Sequence, residues 1–167
     1  LFARRGASWP GRRPSVPRQV LLEDETATRR AGENLARLAK SPFLIALRGE
    51  LGAGKTTFAG GFPAGLGHKG VVASPTFAMV NEYRKLSPKV VHMDLYRAGP
   101  LDLPGLALDE YFSDAEAVCL VEWPENAGDL LPKDRLEVTL HHAKEGRSLS
   151  WHGTGPRSKS LAAKWRP

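Results

Sequence analysis

The sequence contains very little cysteine and no long apolar run. Its 167 residues include one cysteine, Cys119, which excludes an internal disulfide and any metal site built from several cysteines. No apolar stretch approaches the roughly 20 residues that a membrane-spanning helix requires. The N-terminal region lacks the apolar core of a secretory signal. These absences predict a cytoplasmic protein with no membrane partner.

Acidic residues are absent from both ends of the chain. Residues 1–19 carry five arginines and residues 156–167 carry four basic residues, while all 18 acidic residues lie between them. The net charge of +6 therefore arises at the ends. The composition predicts a basic flexible arm over 1–19, one domain over 20–155 and a basic tail over 156–167. Either end could contact RNA or an acidic partner, or could simply be solvated.

Apolar runs of strand length alternate with segments typical of helices. The runs comprise residues 43–47, 90–93 and 117–121. Continuous apolar runs are typical of strands that are covered on both faces. The alternation predicts an α/β fold, and residues 136–140 and 149–151 are predicted to form late antiparallel strands.

A glycine-rich segment directly follows the first of these runs. Residues 49–56, Gly-Glu-Leu-Gly-Ala-Gly-Lys-Thr, match the phosphate-binding loop pattern G-x-x-x-x-G-K-[ST], in which glycines let backbone N–H groups point at phosphates. The following helix adds its positive N-terminal end. Lys55 is predicted to reach the β and γ phosphates, and the Thr56 hydroxyl to bind Mg²⁺.

Two acidic residues each end an apolar strand. Asp94 follows residues 90–93, and Glu122 follows residues 117–121. Since strand C-termini form the ligand crevice of an open α/β sheet, one acid is predicted to hold Mg²⁺ and the other to orient the attacking water. Which residue has which role is left open at this stage. Thr76, in a Ser-Pro-Thr turn, lies where a switch threonine would sense the γ-phosphate.

The sequence favours ATP over GTP as the nucleotide. GTP-binding proteins of this class read guanine with an N-K-x-D motif, and the sequence contains none. Trp123 follows Glu122 and is expected near the site. His92 and Cys119 lie in apolar runs and are expected in the core. His141 and His142 are adjacent on a strand and make a poor metal pair.

Proline and glycine interrupt the helix expected after the phosphate loop. Pro63 follows Gly60 and Gly61, and an interior proline costs about 3 kcal/mol and kinks a helix. The helix is predicted to run to about Leu66, or else to end early or bend at Pro63.

Six segments, taken in order, resemble the TsaE family, the small P-loop ATPases of bacterial tRNA threonylcarbamoyladenosine synthesis. The segments are Gly49–Thr57, Ser74–Phe77, Val80–Tyr83, His92–Arg97, Leu108–Phe112 and Leu120–Pro124. The resemblance extends over about residues 20–152. It implies a P-loop NTPase-like α/β fold whose sheet is mostly parallel with some antiparallel strands, with helices on both faces.

The resemblance also implies an activity and partners. The activity would be Mg²⁺-dependent ATP hydrolysis, weak for the isolated chain. The partner would be the heterodimer that transfers threonylcarbamoyl to the adenosine beside the anticodon, and hydrolysis would reset that complex. Contact with tRNA would be indirect, through those partners.

The resemblance assigns roles to individual residues. It places Glu122 near Mg²⁺ and the attacking water, Asp94 at the second acidic position and Thr76 at the switch position. Nucleotide contacts are implied for the loop and its flanks: Leu51, Gly52, Ala53, Gly54, Lys55, Thr56, Thr57, Trp123, Arg147, Glu25 and Thr28.

Two other functions fit the phosphate loop. A small-molecule kinase would need an acceptor pocket and a lid rich in arginine, and residues 98–105 are short and poorly charged for a lid. A nucleotide-binding scaffold without hydrolysis would keep Lys55 and tolerate the loss of Glu122.

Overall fold

The computed structural model describes residues 18–167. Its centre is a seven-stranded sheet. Its strands are β1 (Arg18–Leu22), β2 (Phe43–Arg48), β3 (Val80–Tyr83), β4 (Lys89–Asp94), β5 (Ala117–Glu122), β6 (Leu136–His142) and β7 (Arg147–Gly153). The α-helices are α1 (Glu25–Ala36), α2 (Lys55–Gly65), α3 (Leu108–Ser113) and α4 (Pro156–Lys164), with 3-10 helices at Leu103–Leu106 and Pro124–Leu130. Within this part of the chain no helix is long and apolar enough to cross a membrane.

The sheet is parallel at its centre and antiparallel at both sides. The strand order is β1-β7-β6-β2-β5-β4-β3. The pairs β6–β2, β2–β5 and β5–β4 are parallel, whereas β1–β7, β7–β6 and β4–β3 are antiparallel. The C-terminal ends of β2, β4 and β5 therefore share one edge, which is where α/β sheets hold their ligands.

Two apolar layers cover the two faces of this sheet. One layer joins α1, α2 and α4 to the sheet through residues such as Leu35, Phe58 and Trp165. The other joins α3 and the 3-10 helices to the opposite face through residues such as Leu108 and Leu131. The α/β fold with a mostly parallel centre and helices on both faces is thus confirmed.

The boundary of the predicted N-terminal arm is partly wrong. Arg18 and Gln19 belong to β1, where they pair with Trp151 and Ser150 of β7. Edge pairing satisfies their backbone groups and draws them into the sheet. The rest of the predicted arm, residues 1–17, lies outside the described residues.

The helix that follows the phosphate loop continues through Pro63 and ends at Gly65. The glycines of α2 have a packing role, since Gly61 and Gly65 face α1. A Cβ on Gly61 would collide with the Arg29 carbonyl oxygen, and one on Gly65 would crowd the Glu33 backbone. Residues that disfavour a helix are therefore retained, because they let α1 and α2 approach closely.

The predicted basic tail is instead an ordered helix. Residues Pro156–Lys164 form α4, and Trp165 is fully buried against Phe58 and Trp151. Asp134 accepts hydrogen bonds from the first free N–H groups of α4, at Arg157 (2.9 Å) and Ser158 (3.0 Å). Apolar burial, together with this remote cap, outweighs the polar composition of the segment.

Candidate functional site

The phosphate-binding loop lies between β2 and α2, at the C-terminal edge of the sheet. Three of its glycines have positive φ angles, at Gly49 (138°), Gly52 (77°) and Gly54 (105°). A Cβ on Gly49 would also collide with the Leu140 carbonyl oxygen of β6. These backbone conformations require glycine and shape the loop into a cradle in front of the α2 N-terminus.

Lys55 projects into this cradle. Its Nζ donates hydrogen bonds to the carbonyl oxygens of Gly49 (2.7 Å) and Glu50 (2.9 Å). The same ammonium lies 4.1 Å from the centre of the Trp123 ring. Burial lowers the pKa of Lys55, while the nearby carboxylates, foremost Glu122, oppose that lowering. The loop therefore holds the buried Lys55 ammonium, which is hydrogen-bonded to neutral carbonyl groups and to no carboxylate of the described residues.

Thr56, Glu122 and His92 form a continuous chain of hydrogen bonds. The Thr56 hydroxyl donates to Glu122 Oε2 at 2.9 Å, and Glu122 Oε1 lies 2.7 Å from His92 Nε2. Since an ionised carboxylate only accepts, the His92 Nε2–H is the donor. His92 is fully buried, and its Nδ1 has no hydrogen-bond partner within the described residues. The expected core histidine thus orients the candidate catalytic carboxylate.

The second acid forms a parallel arrangement with the predicted switch threonine. The Thr76 hydroxyl donates to Asp94 Oδ2 at 2.8 Å, and the backbone N–H of Tyr96 donates to Asp94 Oδ1 at 3.0 Å. Strand register places Asp94 directly beside Glu122 on neighbouring parallel strands. Each acid therefore has its own threonine, and the two pairs lie side by side.

The donor atoms at this edge fit a magnesium ion. The Thr56 hydroxyl and the carboxylates of Asp94 and Glu122 are hard oxygen ligands of the kind that Mg²⁺ prefers. Within residues 18–167 no group of three His, Cys, Asp or Glu side chains could form a metal cluster. A cation here would therefore also draw on phosphate oxygens, as Mg²⁺ does in nucleotide sites.

These side chains surround one pocket of about 300 Å³. It brings together twelve of the residues singled out from the sequence: Glu25, Leu51, Gly52, Gly54, Lys55, Thr56, Thr57, Thr76, Asp94, Glu122, Trp123 and Arg147. Their individual roles stay predictions.

Two predicted contact residues do not line the pocket. Ala53 is fully buried, and Thr28 lies beneath the loop with its hydroxyl bonded to the Asp24 carbonyl oxygen at 3.0 Å. A Cβ on Gly54 would lie 3.4 Å from the Thr28 methyl group. Thr28 therefore supports the loop from below and does not line the pocket.

Tyr96 and Arg97 line the pocket without having been singled out. The Tyr96 ring lies 4.9 Å from the Trp123 ring, and Arg97 lies over the Phe77 ring at 5.0 Å. Both residues follow Asp94 in the segment after β4. Their position immediately beyond a strand-end acid was the signal in the sequence that could have identified them.

Arg147 reaches the pocket from the first residue of β7. The preceding Gly146 has a φ of 73°, and a Cβ there would collide with the Leu22 carbonyl oxygen. The turn that presents Arg147 therefore requires glycine. The guanidinium comes close to the loop, since its Nε lies 3.5 Å from the position of a Cβ on Gly54.

Glu50 connects the loop to the end of β6. Its carboxylate accepts from the His142 backbone N–H at 2.8 Å and lies 2.9 Å from His141 Nδ1. The His142 N–H, the backbone of Glu50 itself and His141 together lower the pKa of Glu50 to about 2. The two adjacent histidines therefore both contact the phosphate-binding loop.

Cys119 has the environment of a core residue. It is 2% exposed, and burial raises the pKa of its thiol to about 12. A thiol in this state is a poor nucleophile.

Comparison with known proteins identifies a family. Residues 22–149 match the family model described as "Threonylcarbamoyl adenosine biosynthesis protein TsaE". A protein of Bacillus subtilis named "tRNA threonylcarbamoyladenosine biosynthesis protein TsaE" is 40% identical over 127 residues, which cover 75% of this chain and 79% of that protein. A Streptomyces coelicolor protein of the same name is 41% identical, over 77% and 92% of the two chains.

A solved structure is similar over nearly the whole fold. The crystal structure of Bacillus subtilis YdiB matches with a TM-score of 0.78 and 32% sequence identity. The match covers 91% of this chain and 97% of that one.

Proposed function

The chain belongs to the TsaE family, and we propose that it binds and hydrolyses ATP as a subunit of the machinery that makes threonylcarbamoyladenosine in tRNA. One observation carries the proposal: the loop lysine, the loop threonine and two strand-end carboxylates converge on one pocket. The relatives' names supply the pathway. We propose a cytoplasmic location, which fits a role on tRNA.

The loop and Lys55 bind the phosphates in this proposal. The backbone N–H groups of the loop and the N-terminal dipole of α2 favour a polyanion. Lys55 exchanges its two carbonyl partners, Gly49 and Glu50, for phosphate oxygens. Because a charged acceptor binds an ammonium more strongly than a neutral carbonyl does, this exchange favours nucleotide binding.

The pairs Thr56–Glu122 and Thr76–Asp94 have different roles in metal binding, water activation and γ-phosphate sensing. Thr56, Asp94 and Glu122 would hold Mg²⁺, which supplies Lewis-acid polarisation of the phosphoryl oxygens. Glu122 adjoins the Thr56 hydroxyl and is fixed by His92, so it is the residue we assign to the attacking water. Thr76 senses the γ-phosphate by leaving Asp94, which makes its segment the switch.

Trp123 and the residues beside it contact the rest of the nucleotide. Trp123, Glu25 and Arg147 line the same pocket as the loop. The adenine base is favoured because the sequence contains no guanine-reading N-K-x-D motif.

Partner proteins complete the function. The pocket mouth carries exposed apolar side chains, with Leu51 69% and Phe77 85% exposed, which a protein partner could cover. We propose that the threonylcarbamoyl transferase heterodimer covers this mouth, stimulates hydrolysis and is reset by it. Contact of the reacting adenosine of tRNA is made by that heterodimer.

Calorimetric titration with ATP, ADP and GTP, with and without Mg²⁺, tests the nucleotide site. We expect Mg·ATP to bind more tightly than GTP, and Lys55→Ala to weaken Mg·ATP binding by more than about tenfold, since a lost charged hydrogen bond costs about 1.5–3 kcal/mol. Lys69→Ala, an exposed lysine far from the loop, is the matched control. Full affinity in Lys55→Ala would overturn the assignment of the phosphate site. Transfer of phosphate to a small acceptor, with no hydrolysis stimulated by the partner, would favour a kinase.

A further inference from the structure

A strongly basic surface covers the outer side of α1 and α4. It is formed by side chains that are all exposed and that come from β1, α1, the segment after α1, and α4 with the residues that follow it: Arg18, Arg30, Arg37, Lys40, Arg157, Lys164 and Arg166. We call this set the α1–α4 basic surface. It plays no part in the site described above.

Hydrogen bonds from side chains to backbone carbonyl oxygens join the segments that carry these cations. The Asn34 side chain of α1 donates to the Arg166 carbonyl oxygen at 3.4 Å, which fixes the end of α4 beside α1. Arg157 donates to the Lys40 carbonyl oxygen, and Arg18 to the Ala163 carbonyl oxygen, each at 3.4 Å. The surface is therefore one contiguous patch.

The cations of this surface lack acidic partners. Within residues 18–167 none of the seven forms an ion pair, although the described chain forms ion pairs elsewhere, such as Lys89–Asp114. Two carboxylates lie close by. Glu33 is half-buried on α1, and Asp134 is engaged by the backbone N–H groups of α4. Seven cations face two carboxylates, so the surface is strongly positive and attracts a polyanion.

The surface lies away from the nucleotide pocket. Arg157 contacts the ring of Phe43, the first residue of β2, at 5.8 Å, whereas the pocket lies at the C-terminal end of the same strand. Arg18 is likewise the first residue of β1. A polyanion on this surface and a nucleotide in the pocket can therefore be bound together.

We propose that the α1–α4 basic surface binds the phosphodiester backbone of a structured RNA. Arginine supplies five of the seven cations, and its planar fork matches phosphate oxygens in pairs. The sequence before Arg18 also contains Arg4, Arg5, Arg12 and Arg13 and no acid, although these residues lie outside the described structure. That the RNA is tRNA rests on the proposed function. The contact positions the chain through phosphates and reads no bases.

The experiment measures binding of the full chain to a fluorescent unmodified tRNA transcript by anisotropy, at several salt concentrations. If about four phosphates are contacted, raising salt fourfold lowers affinity by about 150-fold, because each contact releases a counterion. Arg30→Glu/Arg37→Glu is expected to weaken binding at least about tenfold and to reduce the salt slope by about two. Arg30→Gln/Arg37→Gln is the second variant, in case the reversed charges impair folding.

Lys69→Glu/Lys85→Glu is the matched control, with the same change of charge at exposed sites at the β3 end of the sheet. We expect it to change tRNA affinity less than about twofold. Equal losses in the two pairs would overturn the proposal, as would competition by polyglutamate equal to that by RNA, which would indicate an acidic protein partner.

Mg·ATP binding and hydrolysis are measured on every variant. Since neither Arg30 nor Arg37 lines the pocket, they are expected to stay unchanged in both pairs. Absence of partner-stimulated ATP turnover in the unaltered chain would contradict the proposed function, and the RNA result would stand independently of it.

Discussion

Glu122 is held from two sides by groups of different character. Thr56 lies at the start of α2, next to the phosphate loop, and bonds one oxygen of Glu122. His92 is a buried core residue on the adjacent strand β4 and bonds the other oxygen. Metal or nucleotide binding would claim the Thr56 hydroxyl, which would leave His92 as the remaining hydrogen-bond donor to Glu122. We therefore expect His92 to set the direction of this carboxylate during turnover.

Substitution of His92 tests this role. His92→Leu removes the donor, and we expect partner-stimulated kcat to fall about tenfold or more, since a hydrogen bond to a charged group contributes about 1.5–3 kcal/mol. KM for ATP should change less than about twofold, because the loop is untouched. His92→Gln keeps an N–H donor and should recover most of the activity.

Thermal unfolding of both His92 variants separates orientation from folding. Removal of the buried Nδ1 of His92 breaks no hydrogen bond within residues 18–167, but loss of the Nε2–H in His92→Leu leaves the buried Glu122 Oε1 without its donor, and thermal unfolding measures that cost separately from kcat. Equal kcat in His92→Leu and His92→Gln would contradict the orienting role.

The sequence located single residues well where a motif fixes their geometry. Lys55, Thr56, Asp94 and Glu122 were placed because a loop pattern and strand ends define positions in an α/β sheet. The link from His92 to Glu122 was not predicted. It depends on strand order, which brings β4 beside β5 and which residue spacing does not reveal.

At the scale of elements, the contact between α1 and α2 explains what local propensity could not. Gly60 and Pro63 counted against a helix because they are poor helix formers. The structure keeps α2 helical because Gly61 and Gly65 admit the α1 backbone, as Gly32 of α1 admits the Phe58 carbonyl oxygen. Packing between helices overrides propensity here, and it cannot be inferred from either helix alone.

The Glu50 contact attaches the loop to β6, and its titration reports that attachment. The pKa of Glu50 lies at about 2 in the folded chain, below its ordinary value of 4.5. Because the contact lowers the pKa of Glu50, it stabilises the folded chain fully above about pH 4.5. This stabilisation is lost as the pH falls toward 2 and the carboxylate is protonated. A carboxyl ¹³C NMR titration should therefore show a midpoint of about 2.

His141→Ala is the informative variant for this titration. The His142 backbone N–H is the largest cause of the lowered pKa of Glu50, ahead of the His141 side chain. We therefore expect the midpoint to rise only part of the way toward the ordinary value. A midpoint near the ordinary value in the unaltered chain would mean that the loop is not attached in solution.

For the molecule as a whole, the C-terminal helix completes the core. The sequence interpretation stopped the domain at residue 155 because the remaining residues are basic and few. The spacing of Ser158, Leu161, Ala162 and Trp165, which are all buried, follows the period of a helix. That spacing was the signal for α4, and the charge of the segment concealed it.

Trp165→Ala tests how much α4 contributes to stability. The side chain is fully buried between Phe58 and Trp151, so we expect the free energy of unfolding to fall by about 3–5 kcal/mol. Leu101→Ala, at a side chain that is 95% exposed, should change it by less than about 0.5 kcal/mol. Denaturant unfolding of both variants measures the difference. A similarly small loss of unfolding free energy in both would mean that α4 does not contribute to the stability of the core.

Three of the four tryptophans, Trp123, Trp151 and Trp165, report on two different parts of the molecule. Trp151 and Trp165 meet edge to face inside the core, with their ring centres 5.0 Å apart, so their emission depends on the integrity of the fold. Trp123 lies at the pocket with the Lys55 ammonium 4.1 Å from its ring centre, so its emission depends on where that cation is. A nucleotide that draws Lys55 away alters one signal and leaves the other. Occupancy and folding can then be followed in the same cuvette without an attached dye.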